Sequence, residues 1–179
     1  MSQDEAVLRR LSEALSANPS AEMTELARAA GMSRATLHRR FGNRTALLST
    51  TARFAVGVLA EAVAPIGEDG EDHREVFVQL FDALVHVGPM YRFLGHVDPN
   101  LDPGLSTQFG QMRAELVALI VEAQEAGVLR APMSAWWVSE LFDSLVWMAW
   151  AGIANGELAR NHAAAQAFDT FWRAVGHDG

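Results

Sequence analysis

The chain has 179 residues, half of them hydrophobic and a fifth charged, with a formal charge of −8. That suits one globular domain, or a small domain fused to a medium one, with enough chain to bury a core. The absence of cysteine excludes disulfides, thiolate metal sites and thiol catalysis together.

The charge is unevenly split. Residues 1–50 hold seven Arg against five acids, and the remainder holds seven Arg against seventeen acids. Halves of opposite sign point to two jobs. The N-terminal MSQDEAVLRR has acids before its basic pair and no apolar run after it, which is not the pattern of a signal peptide. Residues 135–154, AWWVSELFDSLVWMAWAGIA, have the length of a membrane span. Their central Glu140 and Asp143 favour a buried helix of a soluble, cytoplasmic protein.

Every periodic segment has the helical repeat, so the expected fold is all-α, with about nine helices. Val7, Leu8, Leu11, Ala14 and Leu15 form the first apolar stripe. Asn18-Pro19-Ser20 ends that helix. Thr24 is a candidate cap for a second helix over about 24–30, which Gly31 stops. Ser33 is placed to cap a third helix running to about Phe41, with Gly42 after it. Asn43 is placed to cap a fourth that ends near Ala64, before Pro65. IGEDGEDH, residues 66–73, reads as a linker, and Glu71, Asp72 and Glu75 suit the positive end of a fifth helix. That helix carries Phe77, Leu80, Phe81, Leu84 and Val85. Gly88-Pro89 then starts a short helix, and DPNLDPG is a turn cluster. Asp102-Pro103 signals the start of a long helix with Leu105, Phe109, Met112, Leu116, Leu119 and Ile120, stopping at Gly127. Ser134 is placed to cap the Trp-rich helix, and a last helix, about 160–175, carries Phe168, Phe171, Trp172 and Val175.

Two short helices joined by a tight Gly turn make a helix-turn-helix, about residues 22–41. In the third helix Leu37 and Phe41 point inward, which leaves Arg34, Ala35, Thr36, His38, Arg39 and Arg40 outside. The segment 31–48, GMSRATLHRRFGNRTALL, holds four Arg and no carboxylate in an acidic chain. Such a helix fits the DNA major groove, where Arg donates to guanine O6 and N7 and small side chains touch the thymine methyl. Ser33, Thr36 and the helix N-terminus suit phosphate oxygens. Arg44 sits where the helix dipole disfavours a cation, a placement that a nearby phosphate would explain. A carboxylate on this face would repel a polyanion, which accounts for the missing acids.

MTELARAAGMSRATLHRRFGNRTALL resembles the DNA-binding domain of the TetR family of bacterial transcription regulators. The resemblance rests on ELARAAG, the Ser33-to-Phe41 helix and the N-R-x-A-L-L opening of the fourth helix, and covers roughly residues 5–55. His38 stands where the family commonly has Tyr, and Arg44 where it usually has Lys. The candidate DNA-binding residues are Thr24, Ser33, Arg34, Ala35, Thr36, His38, Arg39, Arg40 and Arg44. The resemblance implies a homodimer pairing through its last two helices, with an inducer pocket in the larger domain. The expected division is residues 1–50 for DNA binding and 51–179 for ligand binding and dimerisation.

The residues of the second half support part of this. In 136–154 one stripe is Trp137, Leu141, Leu145, Met148 and Gly152, and a second is Val138, Phe142, Val146, Ala149 and Ile153. A helix apolar on two sides needs cover on two sides, from its own core and from a second subunit. A monomer with a central helix is the alternative. Glu140 and Asp143, between Trp136, Trp147 and Trp150, either form a cage for a lipophilic cation, pair with Arg160 or Arg173 across the subunit interface, or face water. Phe81, Met90, Tyr91, Phe93, Phe109, Met112, Leu116, Phe142 and Trp147 are the candidate effector-binding residues. His73, His86 and His96 match no metal-ligand or catalytic spacing.

The expected protein is a transcription regulator and not an enzyme. It acts as a repressor on a near-palindromic DNA operator, is released by a mainly apolar small molecule, and needs no cofactor, metal or membrane. The alternative is a small-molecule-binding helical protein whose helix-turn-helix is vestigial or contacts protein.

Overall fold

The computed structural model describes residues 3–67 and 72–177. Among them are nine α-helices and one 3-10 turn: α1 (Gln3–Ala17), α2 (Met23–Ala29), α3 (Arg34–Phe41), α4 (Arg44–Val63), α5 (His73–His86), α6 (Gly88–Leu94), the 3-10 turn Pro99–Leu101, α7 (Pro103–Glu125), α8 (Ala135–Ala154) and α9 (Arg160–Val175). The described residues contain no strand, only an isolated antiparallel bridge between Leu129 and Gly176. The all-α expectation holds. Glu71 lies outside the described residues.

Most boundaries follow from local chemistry. Ser33 Oγ accepts from the Thr36 amide, Asn43 Oδ1 from the Ala46 amide and Ser134 Oγ from the Trp137 amide. Each cap satisfies an amide that the helix itself leaves without a partner. Gly31, Gly42 and Gly127 adopt φ of 70°, 76° and 73°, the left-handed conformation that ends a helix with little strain only for glycine. Thr24 is not the cap of α2. The helix begins one residue earlier, with Glu22 as N-cap and its amide bonded to Glu25 Oε2 at 2.9 Å.

The chain resolves into two compact units. The first comprises the residues up to Glu61 together with 89–109, so it holds α1–α3, most of α4 and α6, and the first turns of α7. Its core gathers Leu11 and Leu15 of α1, Leu26 of α2, Leu37 of α3, and Leu47 and Leu59 of α4, with Met90 and Phe93 of α6 also buried.

The second unit comprises residues 62–88 and those from 110 onward. Here α5, α8 and α9 pack on one another through a cluster of rings. Phe81 lies 4.5 Å from Phe142 and 5.5 Å from Phe171, and Phe77 lies 5.1 Å from Phe171. Burying each such ring contributes about 1.5–3 kcal/mol, and a well-placed pair about 0.5–1.5 kcal/mol more. Gly88, where α6 begins, is a packing requirement: a Cβ there would overlap the Trp150 indole. The 135–154 segment is α8, with Val138, Phe142, Val146 and Ala149 buried.

Candidate nucleic-acid interface

The α2–turn–α3 hairpin places the predicted reading surface. Leu37 and Phe41, four residues apart, are buried against the first unit's core. The helical period then forces Arg34, Ala35, His38, Arg39 and Arg40 outward, and all five are exposed. Thr24 and Ser33 are exposed and Thr36 is half-buried. The Ser33 and Thr36 hydroxyls lie 2.9 Å apart and are hydrogen bonded to each other. They stand at the amino end of α3, where free amides and the helix dipole favour an anion.

The arginines are not equivalent. Arg40 Nη2 donates to Asp4 Oδ1 at 2.6 Å, and the guanidinium lies 5.3 Å from the Phe41 ring centroid. Among the described residues Arg34 and Arg39 have no ion-pair partner, so their charge is open to solvent. Arg44 faces inward. Its Nη1 donates to Ala21 O at 2.7 Å and its Nη2 to Pro19 O at 2.6 Å. A phosphate is therefore not needed to explain a cation at the start of α4. Two carbonyls of the α1–α2 connection compensate it, and they in turn tie the hairpin to α4. Sequence reasoning did not anticipate the Asp4–Arg40 or Arg44–Pro19 contacts, because nothing local links residues 36 and 25 apart.

The candidate effector residues divide between the units. Met90, Tyr91, Phe93 and Phe109 belong to the first, and Phe81, Met112, Leu116, Phe142 and Trp147 to the second. Phe81 and Phe142 are locked in the ring cluster, while Met112, Leu116 and Trp147 are half-buried. The first unit contains a cavity of about 270 Å³ lined by Leu15, Leu48, Phe93, Val97 and Leu101, with Arg44 at its wall. Of the expected residues only Phe93 reaches it.

On α8 Val138, Phe142, Val146 and Ala149 of the second apolar stripe form core and Ile153 is half-buried, whereas the first stripe leaves Trp137 and Met148 more than half exposed, at 56% and 61%. Glu140 is engaged by Arg113 of α7. The spacing gave no sign of Arg113, which belongs to another helix; the expected pairing with Arg160 or Arg173 is one across a subunit interface. Arg113 therefore competes with any cation for this half-exposed carboxylate.

Comparison with known proteins agrees with this geometry. Residues 19–50 match the model for bacterial regulatory proteins of the tetR family. The HTH-type transcriptional regulator NfxB of Pseudomonas aeruginosa is 30% identical over 150 residues, which cover 82% of this chain and 80% of that protein. Two solved structures share the fold. One is LfrR from Mycobacterium smegmatis in complex with proflavine (TM-score 0.77, 20% identity, 94% of this chain and 93% of that one). The other is PfmR from Thermus thermophilus (TM-score 0.72, 18% identity, 93% and 97%). The chain belongs to the TetR family of bacterial regulatory proteins and is a DNA-binding transcription regulator, not an enzyme.

Proposed function

We propose that this protein is a cytoplasmic repressor that binds a near-palindromic operator as a homodimer and is released by a mainly apolar small molecule. The observation that carries the reading is the outer face of α3. Arg34, Ala35, His38, Arg39 and Arg40 are all exposed there, in an acid-free segment of a chain with net charge −8. Arg34 and Arg39 are the first candidates for base or phosphate contact, with Arg40 joining when it leaves Asp4. Thr24, Ser33 and Thr36 would serve phosphates, Ala35 a thymine methyl, and His38 a phosphate or base edge. Arg44 would act mainly by holding α4 to the hairpin.

The exposed Trp137 and Met148 support pairing through α8 with α9 beside it, since large apolar side chains on a helix face mark an interaction surface. A two-fold dimer presents two recognition helices to half-sites one DNA turn, about 34–36 Å, or a multiple apart. For the effector, half-buried Met112, Leu116 and Trp147 in the second unit are the residues with surface left to offer. Tyr91 and Phe109 hold that position in the first. LfrR, a neighbour in fold, was crystallised with proflavine, which makes small-molecule binding by this architecture physically reasonable.

Selection of duplexes from random DNA tests the reading. It should enrich an inverted repeat whose half-sites are spaced by whole helical turns. No enrichment would favour the alternative of a small-molecule-binding protein with a vestigial hairpin.

A further inference from the structure

Asp102 lies in the connection before α7 and makes contacts in two directions. Its Oδ1 accepts from the Gly104 amide at 2.8 Å, capping α7. Its Oδ2 accepts from Ser49 Oγ at 2.7 Å and lies 3.5 Å from Arg53 Nη1, both on α4. Ser49 is buried, and the Asp102 side chain is only 17% exposed. The sequence marked Asp102 as a helix start and held no sign of the second role, because Ser49 is 53 residues away.

The surroundings fit a clamp. Ser49 and Arg53 are one helical turn apart, so they present a hydroxyl donor and a cation to the same carboxylate. A Cβ on Gly104 would lie 3.1 Å from Asp102 Oδ1, so glycine there leaves the carboxylate room to cap the helix. The carboxyl is held below its usual value, first by the Ser49 hydrogen bond and then by the Gly104 amide, so it is a carboxylate at neutral pH. Farther along, α7 leaves the first unit between Phe109 and Gly110. A Cβ on Gly110 would meet nothing within 4 Å. Packing therefore does not require that glycine, and it softens the helix where the unit ends.

We infer that Asp102 is a positioning residue that binds the first two turns of α7 to α4, making them part of the body that moves when the recognition helix engages DNA. Engagement at α3 thereby reaches α7, a helix with no part in the reading surface. The inference rests on the proposed binding of duplex DNA by α3. It adds a specific link through which anything that moves α7 acts on α4, and coupling between the two is reciprocal.

Amide hydrogen exchange on the full-length protein, with and without a duplex recovered by selection, tests this. In the unsubstituted protein, duplex should slow exchange in residues 34–41 and also, by about threefold or more, in residues 105–109, because exchange follows local opening. Ser49→Ala removes one hydroxyl from α4 and leaves the α7 cap in place. Asp102→Asn retains a good capping residue and loses the charge. In both variants the slowing at 34–41 should persist while that at 105–109 is lost. A merely structural role would change the free-state rates and leave the DNA-dependent difference intact. Slowing at 34–41 with none at 105–109 in the unsubstituted protein, or equal slowing at 105–109 in the variants, overturns the clamp alone. No slowing at 34–41 in any of the three overturns the DNA reading and the clamp with it.

Discussion

Arg40 on the exposed face of α3 is held by Asp4 from the first turn of α1, with Nη2 to Oδ1 at 2.6 Å. A residue placed to meet phosphates thus has an internal anion that competes with them. The Asp4 side chain is 77% exposed and that of Arg40 31%, and pairs this open to solvent are worth about 0–1 kcal/mol. DNA would displace Asp4 at little cost. Asp4→Asn is expected to raise affinity for duplex by up to about fivefold at low salt and less at high salt. Fluorescence anisotropy on a selected duplex measures this. Weaker binding by the variant would show that Asp4 positions Arg40 productively.

The α8 surface carries a second prediction. Trp137 and Met148 are exposed in the chain described by itself, so changing them leaves the core intact. Trp137→Glu or Met148→Glu should shift the protein from dimer to monomer in sedimentation at micromolar concentration, with far-ultraviolet dichroism unchanged. A dimer that survives both substitutions would move the interface elsewhere.

How far the chain was legible depended on the range of the interaction. The caps of Ser33, Asn43 and Ser134 and the stops at Gly31, Gly42 and Gly127 act within four residues, and helix ends were predictable there. The inward turn of Leu37 and Phe41 followed from period alone, and with it the outward face of α3. Glu22 took the cap expected of Thr24 because the reciprocal bond with Glu25 competes with a single hydroxyl. Contacts joining distant segments left no local pattern, as with Arg44 to Pro19, Arg113 to Glu140 and Ser49 to Asp102. For the same reason the sequence set Phe81 and Phe142 both on apolar helix stripes and among the effector candidates, and only the long-range ring cluster decides for packed core.

The ring cluster and the α7 glycine should shift stability in opposite directions. Phe142→Ala removes a ring in contact with Phe77, Phe81 and Phe171 and should cost about 3–5 kcal/mol. Gly110→Ala meets no steric obstacle and should stabilise by about 0.5–1 kcal/mol, a rise of about 1–4 °C in Tm for a chain of this size. Thermal unfolding followed by far-ultraviolet dichroism measures both. A destabilised Gly110→Ala protein would mean that the position needs a backbone shape only glycine supplies.

Asp102 also predicts a pH dependence. Its folded pKa lies below the ordinary value of 3.8, so the folded state favours the carboxylate. The resulting stability is fully present above the unfolded pKa and is lost as pH falls through the folded one. Arg53 is the charged group facing it, 3.5 Å away. Between about pH 5 and pH 3, Asp102→Asn should therefore lose less Tm than the unsubstituted protein. Parallel curves would show that the clamp contributes nothing through its charge.

The claim that α3 reads DNA is tested most directly by the salt dependence of binding to a selected duplex, for the unsubstituted protein and Arg39→Ala. A protein that neutralises phosphates gives a falling line of log K against log salt, with a slope of about −0.9 for each contact. The account predicts a steep line for the unsubstituted protein. For Arg39→Ala it predicts either a slope shallower by about one, with all sequences weakened alike, or an unchanged slope with a loss of about 1–3 kcal/mol and relaxed preference at one base pair. A flat line for the unsubstituted protein, or an Arg39→Ala protein with the same affinity, slope and sequence preference, would contradict it.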